Sequence, residues 1–187
     1  MEPISTRNDP AQEKLSNLWQ YNAHLLMQAL TLVQRLQKEA KPNFSFSQAV
    51  GPHIRHIMEH YLALLDAIEG DMSQGISYDS RERDVLLQNL PDMAAAKLQK
   101  LIATLLQLRL AKSWHLDTPM PTTLKTGAVG EFEMSVNTSL GRELLFLSSH
   151  TVHHFALLHH YAQQAGVDMG ADFGKAPATL AHERQSR

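Results

Sequence analysis

Cysteine is absent from the 187 residues. The chain therefore has no disulfide, no thiolate metal site, no iron–sulfur cluster and no cysteine nucleophile of its own. A reducing, cytoplasmic setting fits that absence. An excess of charge of one sign is missing too: 17 Lys and Arg stand against 19 Asp and Glu, a net charge of -2 with histidine neutral. Nothing in that balance would neutralise phosphates in bulk, so no nucleic-acid partner is expected. The start, Met1-Glu2-Pro3-Ile4-Ser5-Thr6, lacks an apolar core of signal-peptide length. One stretch without Asp, Glu, Lys or Arg is long enough to attract notice, Leu144 to Val167, but it carries five histidines, two glutamines and two serines. Those groups would be costly in lipid, so the stretch reads as a helix inside a protein, and no membrane partner is expected.

Hydrophobic residues make up 43% and charged residues 19% of the chain, enough for a core of useful size. At 21.0 kDa the chain is expected to form a single domain over residues 1–187, with an irregular tail over 167–187. Histidine is the unusual residue: of 11, three lie in residues 53–60 and five in residues 150–160.

Asp9-Pro10 has the form of a helix start, a capping carboxylate followed by proline at the first helical position. Leu15, Asn22, Ala29 and Leu36 form one row after it, Leu18, Leu25 and Leu32 a second, and Trp19, Leu26 and Val33 widen the face. This predicts a long amphipathic helix that stops by Pro42, with Asn22 as a polar group in an apolar stripe. A second helix is expected from Ser47 or Pro52 to Glu69, then a loop over 71–80 and a short charged helical piece over 81–90. Asp92 is placed as the cap of a third long helix, with Ala95, Leu98, Ile102, Leu105 and Leu108 on its apolar face. Phe132, Met134 and Val136 alternate with Glu131, Glu133, Ser135 and Asn137, and Gly127 and Gly130 supply turn residues, so a β-hairpin is expected. Asn137 or Thr138 then caps a fourth long helix that ends at Gly166. The sum is an all-α four-helix bundle with a small hairpin insertion.

His150 and His154 are four residues apart, which puts both imidazoles on one helix face, one turn from each other. Glu143, Leu147, Leu157 and Tyr161 extend that stripe. His53, His56 and His60 repeat the spacing on the second helix. One histidine from this group with His150 and His154 makes a three-histidine site with positions left for water or substrate. Imidazole suits several divalent ions; zinc is favoured, with nickel and iron behind it. Arg81 and Arg83 have the chemistry to hold a carboxylate or phosphate, or else form a solvated charged turn with Asp79 and Glu82. Glu143 is either a group that orients a ligand histidine or a base, or a surface residue favoured by a helix N-terminus.

Gly51-Pro52-His53-Ile54-Arg55-His56-Ile57, then Glu59-His60-Tyr61, together with Ser149-His150-Thr151-Val152-His153-His154, resemble the DinB/YfiT-like superfamily. Tyr78 to Asp84, Gly141-Arg142-Glu143-Leu144 and Phe173 to Thr179 look like segments of one branch of it. The resemblance implies a metal held by His56, His150 and His154. Pro52 stands where the family has an aromatic, which leaves His53 as the alternative ligand. It further implies a metal-dependent transferase or isomerase acting on a small-molecule substrate with a low-molecular-weight thiol, in a homodimer. In that scheme Arg81 or Arg83 steers an anionic cosubstrate and Glu143 supports the metal ligands. A non-catalytic metal-binding protein acting through protein contacts is the second reading.

Overall fold

The computed structural model describes residues 9–80, 82–111 and 114–186. Helix α1 spans Pro10–Glu39, and the Asp9 carboxylate accepts from the Ala11 N–H at 2.9 Å, as the sequence predicts. Leu15, Trp19, Asn22, Leu25, Leu26, Ala29, Leu32, Val33 and Leu36 are buried, while Leu18 is half-buried. α2 (Phe46–Ala49) and α3 (Gly51–Glu69) follow. The segment expected as a loop instead holds a 3-10 turn, Met72–Gln74, and a short strand β1, Ile76–Ser77. α4 is confined to Val85–Asn89 and capped by Asp84; Arg81, at the head of the expected charged piece, lies outside the described residues.

α5 spans Pro91–Leu110 with Asp92 inside its first turn rather than capping it. Strands β2 (Pro119–Thr126) and β3 (Phe132–Ser139) form the expected hairpin. α6 spans Leu140–Ala165 and is capped by Ser139; Asn137 and Thr138 still belong to β3. Gly166, at φ 82, ends α6 in the left-handed conformation that glycine adopts without penalty. α7 (Pro177–Gln185) occupies the tail that was expected to be irregular. Among the described residues no helix is long and apolar enough to cross a membrane.

The all-α four-helix bundle is corrected by the sheet. Among the described residues seven α-helices accompany three strands in the order β1-β2-β3. β1 runs parallel to β2, pairing Ile76 with Thr122, and β2 runs antiparallel to β3, pairing Leu124 with Met134. The sheet is not an appendage: Ile76, Tyr78, Met120 and Thr122 are all buried. A two-residue strand has no periodicity to announce it, which is why 71–80 reads as loop in the sequence. The alternation in β3 correctly marks a strand, yet Phe132, Met134 and Val136 remain exposed.

The helices α1 and α3 each pack against both α5 and α6. A buried polar knot joins three of them. The Tyr61 hydroxyl donates to Asn22 Oδ1 at 2.7 Å, and Asn22 Nδ2 donates to the carbonyls of Leu18 (2.9 Å) and Leu144 (3.1 Å). Thr151 donates to the Leu147 carbonyl at 2.7 Å and its hydroxyl lies 3.2 Å from that of Tyr61. Asn22 thus satisfies groups on α1, α3 and α6 at once, and burial raises the Tyr61 pKa far above its ordinary value. Truncating Asn22→Ala would leave the Tyr61 hydroxyl and the Leu144 carbonyl in the core without this partner. Urea unfolding is expected to show a loss of about 2 kcal/mol. A loss indistinguishable from zero would show that the knot does not hold the helices.

Candidate metal centre

α3 and α6 lie side by side, and their facing edges carry the histidine clusters. The start of α3 is set by close contact. A Cβ on Gly51 would fall 1.9 Å from the Gln88 carbonyl oxygen, so only glycine lets α3 approach α4 two residues before His53. On α6 the buried stripe is Leu144, Leu147, Thr151, Phe155, Leu158 and Ala162. His150 and His154 flank it and are half-buried, while Leu157, expected on the inward stripe, is 40% exposed. The histidines therefore stand at the rim of the core, where imidazole is partly desolvated but still reachable.

His56, His150 and His154 offer ligand nitrogens that all lie within 4.8 Å of one another. His150 Nε2 and His56 Nε2 are 3.0 Å apart. The three ring centroids are separated by 4.6 to 5.0 Å. Two nitrogens on a tetrahedral ion, each bonded at about 2.0–2.1 Å, would stand roughly 3.3 Å apart. The observed separations bracket that value, so small side-chain rotations suffice and the donor set fits a divalent ion. His53, the alternative ligand, instead places Nδ1 3.2 Å from His154 Nδ1. The His56 carbonyl accepts from His60 Nδ1 at 2.8 Å, and the His60 ring lies 4.3 Å from that of His56 and 4.4 Å from that of His150. Both residues brace the three from outside.

Burial pushes the His154 pKa down to about 4, with the neighbouring His150, His53 and His153 adding repulsion, and burial also lowers that of His53. At neutral pH these rings keep their lone pairs, the form a metal requires.

Glu143 is fully buried. It accepts from the Tyr78 hydroxyl at 2.6 Å, from Thr138 at 2.7 Å and from Arg142 at 3.1 Å. The Tyr78 ring stacks on His60 at 5.2 Å. Glu143 thus reaches the imidazoles through Tyr78 and His60, as a positioning group. Burial and the Glu143 carboxylate raise the Tyr78 pKa far above its ordinary value, so Tyr78 remains a proton donor in this chain of contacts. Arg83 is exposed in the segment before α4, and Arg81 lies outside the described residues. A nearby cavity of about 600 Å³ has Glu59, Asp66, Asp71, Glu82 and Lys97 among the described residues that line it. His153 is exposed, and the His159 and His160 rings pair with Gln163 and Gln164 one turn on.

Sequence reasoning missed the aromatic walls. The Phe146 ring stacks on His150 at 5.5 Å and lies 5.1 Å from that of Tyr78. Phe146 is one turn before His150, a spacing that could have drawn attention to it. Tyr78 follows β1 and has no such signal.

No family model matches this chain, and no solved structure matches it. It is similar to FK506-binding protein 5 of Rhizopus delemar, with 31% identity over 107 residues, which cover 57% of this chain and 27% of that protein. The chain thus spans only about a quarter of the length of this curated relative. These findings, with the mixed sheet, overturn the DinB/YfiT-like membership expected from the histidine segments. That likeness, drawn over nearly the whole chain, was specific only at the two histidine segments, which constrain imidazole spacing and little else.

The lowered His154 pKa has a consequence for stability. The unfolded chain takes up a proton at this residue near pH 6.5, whereas the folded, metal-free chain does so only near pH 4. This contribution is present above pH 6.5 and is lost as pH falls towards 4. Metal-free protein is expected to unfold at lower urea concentration at pH 5 than at pH 7, with His154→Gln reducing the difference. An equal pH response in the variant would place the effect elsewhere.

Proposed function

We propose that this protein is a metal-dependent enzyme whose centre is one divalent ion held by His56, His150 and His154. The convergence of three imidazole nitrogens within 4.8 Å at a half-buried position carries the proposal. No carboxylate joins that group among the described residues, which leaves positions for a substrate. Zinc is the favoured ion, with nickel and iron as alternatives. When bound, such an ion supplies Lewis acidity, polarising a carbonyl or phosphoryl oxygen or acidifying a thiol or water that joins its shell.

The protein's own residues supply the setting. His53 and His60 fix the orientation of the ligand rings, Tyr78 and Phe146 exclude water from one side, and Glu143 anchors Tyr78. The reaction class these groups support best is attack by an activated small nucleophile, a low-molecular-weight thiol or water, on a small-molecule substrate. A chain without cysteine must take any thiol from solution, and a cytoplasmic setting belongs to the same proposal.

Elemental analysis of untagged protein, purified without chelator or a nickel column, is expected to find about one zinc, nickel or iron per chain. His150→Ala is expected to lose the metal while keeping its helical circular dichroism. Thiol-transfer and hydrolysis screens on the loaded protein should then give turnover that His56→Ala lacks. Full metal retention in His150→Ala would disprove the ligand assignment. Stoichiometric metal without turnover in either screen would favour a non-catalytic metal-binding protein.

A further inference from the structure

A cavity of about 460 Å³ lies between the hairpin and the first turns of α6, and Tyr78 and Phe146 line it. The same two rings pack on His60 and His150, so the cavity and the histidine cluster share an aromatic wall. Leu124 and Val136 form its apolar side and are 41% and 52% exposed. Met134, opposite Leu124, extends this open apolar face of the hairpin. Apolar side chains left half-open around a concave site lose that exposure when a ligand covers them.

The polar end of the cavity is Arg142. Its guanidinium lies 5.3 Å from the centre of the Phe146 ring, and its side chain is 61% exposed. Among the described residues it is the one cation lining the cavity. The opposing charge is Glu143, which lies 3.1 Å from Arg142 Nη1 but is turned inward and also bonded to Tyr78 and Thr138. A single contact from an exposed guanidinium leaves most of its five N–H donors for another acceptor. The backbone N–H groups of Leu140, Gly141 and Arg142 are already taken by Thr118, Leu116 and Ser139, so the arginine, and not the helix end, is the available anion donor.

We infer that this cavity binds a small amphipathic carboxylate, with its apolar part against Leu124, Val136 and Phe146 and its carboxylate on Arg142. The Tyr78 and Phe146 rings stand between this molecule and the histidine cluster, so the binding is independent of the metal-centre reading.

Calorimetric titration of the full chain with 3-phenylpropionate and with 3-phenyl-1-propanol tests this, on zinc-loaded and metal-free samples of measured zinc content. The acid is expected to bind more tightly than the alcohol. Arg142→Gln should weaken the acid about 10-fold, the scale of one charge-assisted contact, and leave the alcohol within about two-fold. Val136→Trp, at an exposed hairpin position, should fill the cavity and weaken both ligands while circular dichroism stays unchanged. Equal affinity for acid and alcohol, an acid affinity untouched by Arg142→Gln, or no binding of either probe overturns the inference. Zinc uptake without probe binding defeats this inference alone. Probe binding that depends on Arg142 without any zinc uptake supports the cavity and defeats the metal-centre reading alone.

Discussion

The Asn22 amide of α1, which ties Tyr61 on α3 to the Leu144 carbonyl on α6, is the constraint on which the histidine cluster depends. Asn22 Oδ1 accepts from the Tyr61 hydroxyl at 2.7 Å and Asn22 Nδ2 donates to the Leu144 carbonyl at 3.1 Å, all within the buried core. A sliding of α3 by one turn would part the Tyr61 hydroxyl from Asn22 and leave both groups in the core without this bond, at a cost on the order of 1–3 kcal/mol for each. Leu144 lies six residues before His150, and Tyr61 lies five residues beyond His56. The polar knot therefore sets the register that places His56 opposite His150 and His154. The buried apolar faces alone would hold the helices together with far less regard for register, because apolar contact is not directional.

Around that register the structure builds an ordered outer layer. His53 meets His154, His60 is tied to the His56 backbone, and Tyr78 stacks on His60 while donating to buried Glu143. Each contact limits the rotation of a ring whose nitrogen must point to one place. Burial at the core rim keeps His154 neutral at physiological pH, so protons compete weakly for its lone pair. On the other side of the aromatic wall the hairpin lines a cavity with Tyr78 and Phe146, which a purely helical architecture would lack.

Much of this was legible in the sequence where periodicity carries information. The rows from Leu15 to Leu36 announced α1 and its buried face, and the three- and four-residue spacings of the histidines announced two facing clusters. What periodicity could not express was lost. β1 is two residues long and shows no pattern, so the parallel pairing with β2 and the mixed sheet went unseen. Ser139 rather than Asn137 or Thr138 caps α6, because β3 runs straight into the helix and only its last residue stands next to the first turn. Leu157 lies outside the buried stripe because the helix turns His150 and His154 to the edge of the core instead of its centre. The family resemblance overreached for a related reason: a few histidines at helical spacing determine a local geometry, while the rest of the chain determines the fold.

The most direct test of the central claim is X-ray absorption spectroscopy at the zinc edge of protein loaded with one equivalent of zinc. Three imidazole nitrogens with at least one further light ligand is the predicted shell, falling to two imidazoles in His56→Ala. A wild-type shell with fewer than three imidazoles, or one unchanged by His56→Ala, would contradict a centre built from His56, His150 and His154.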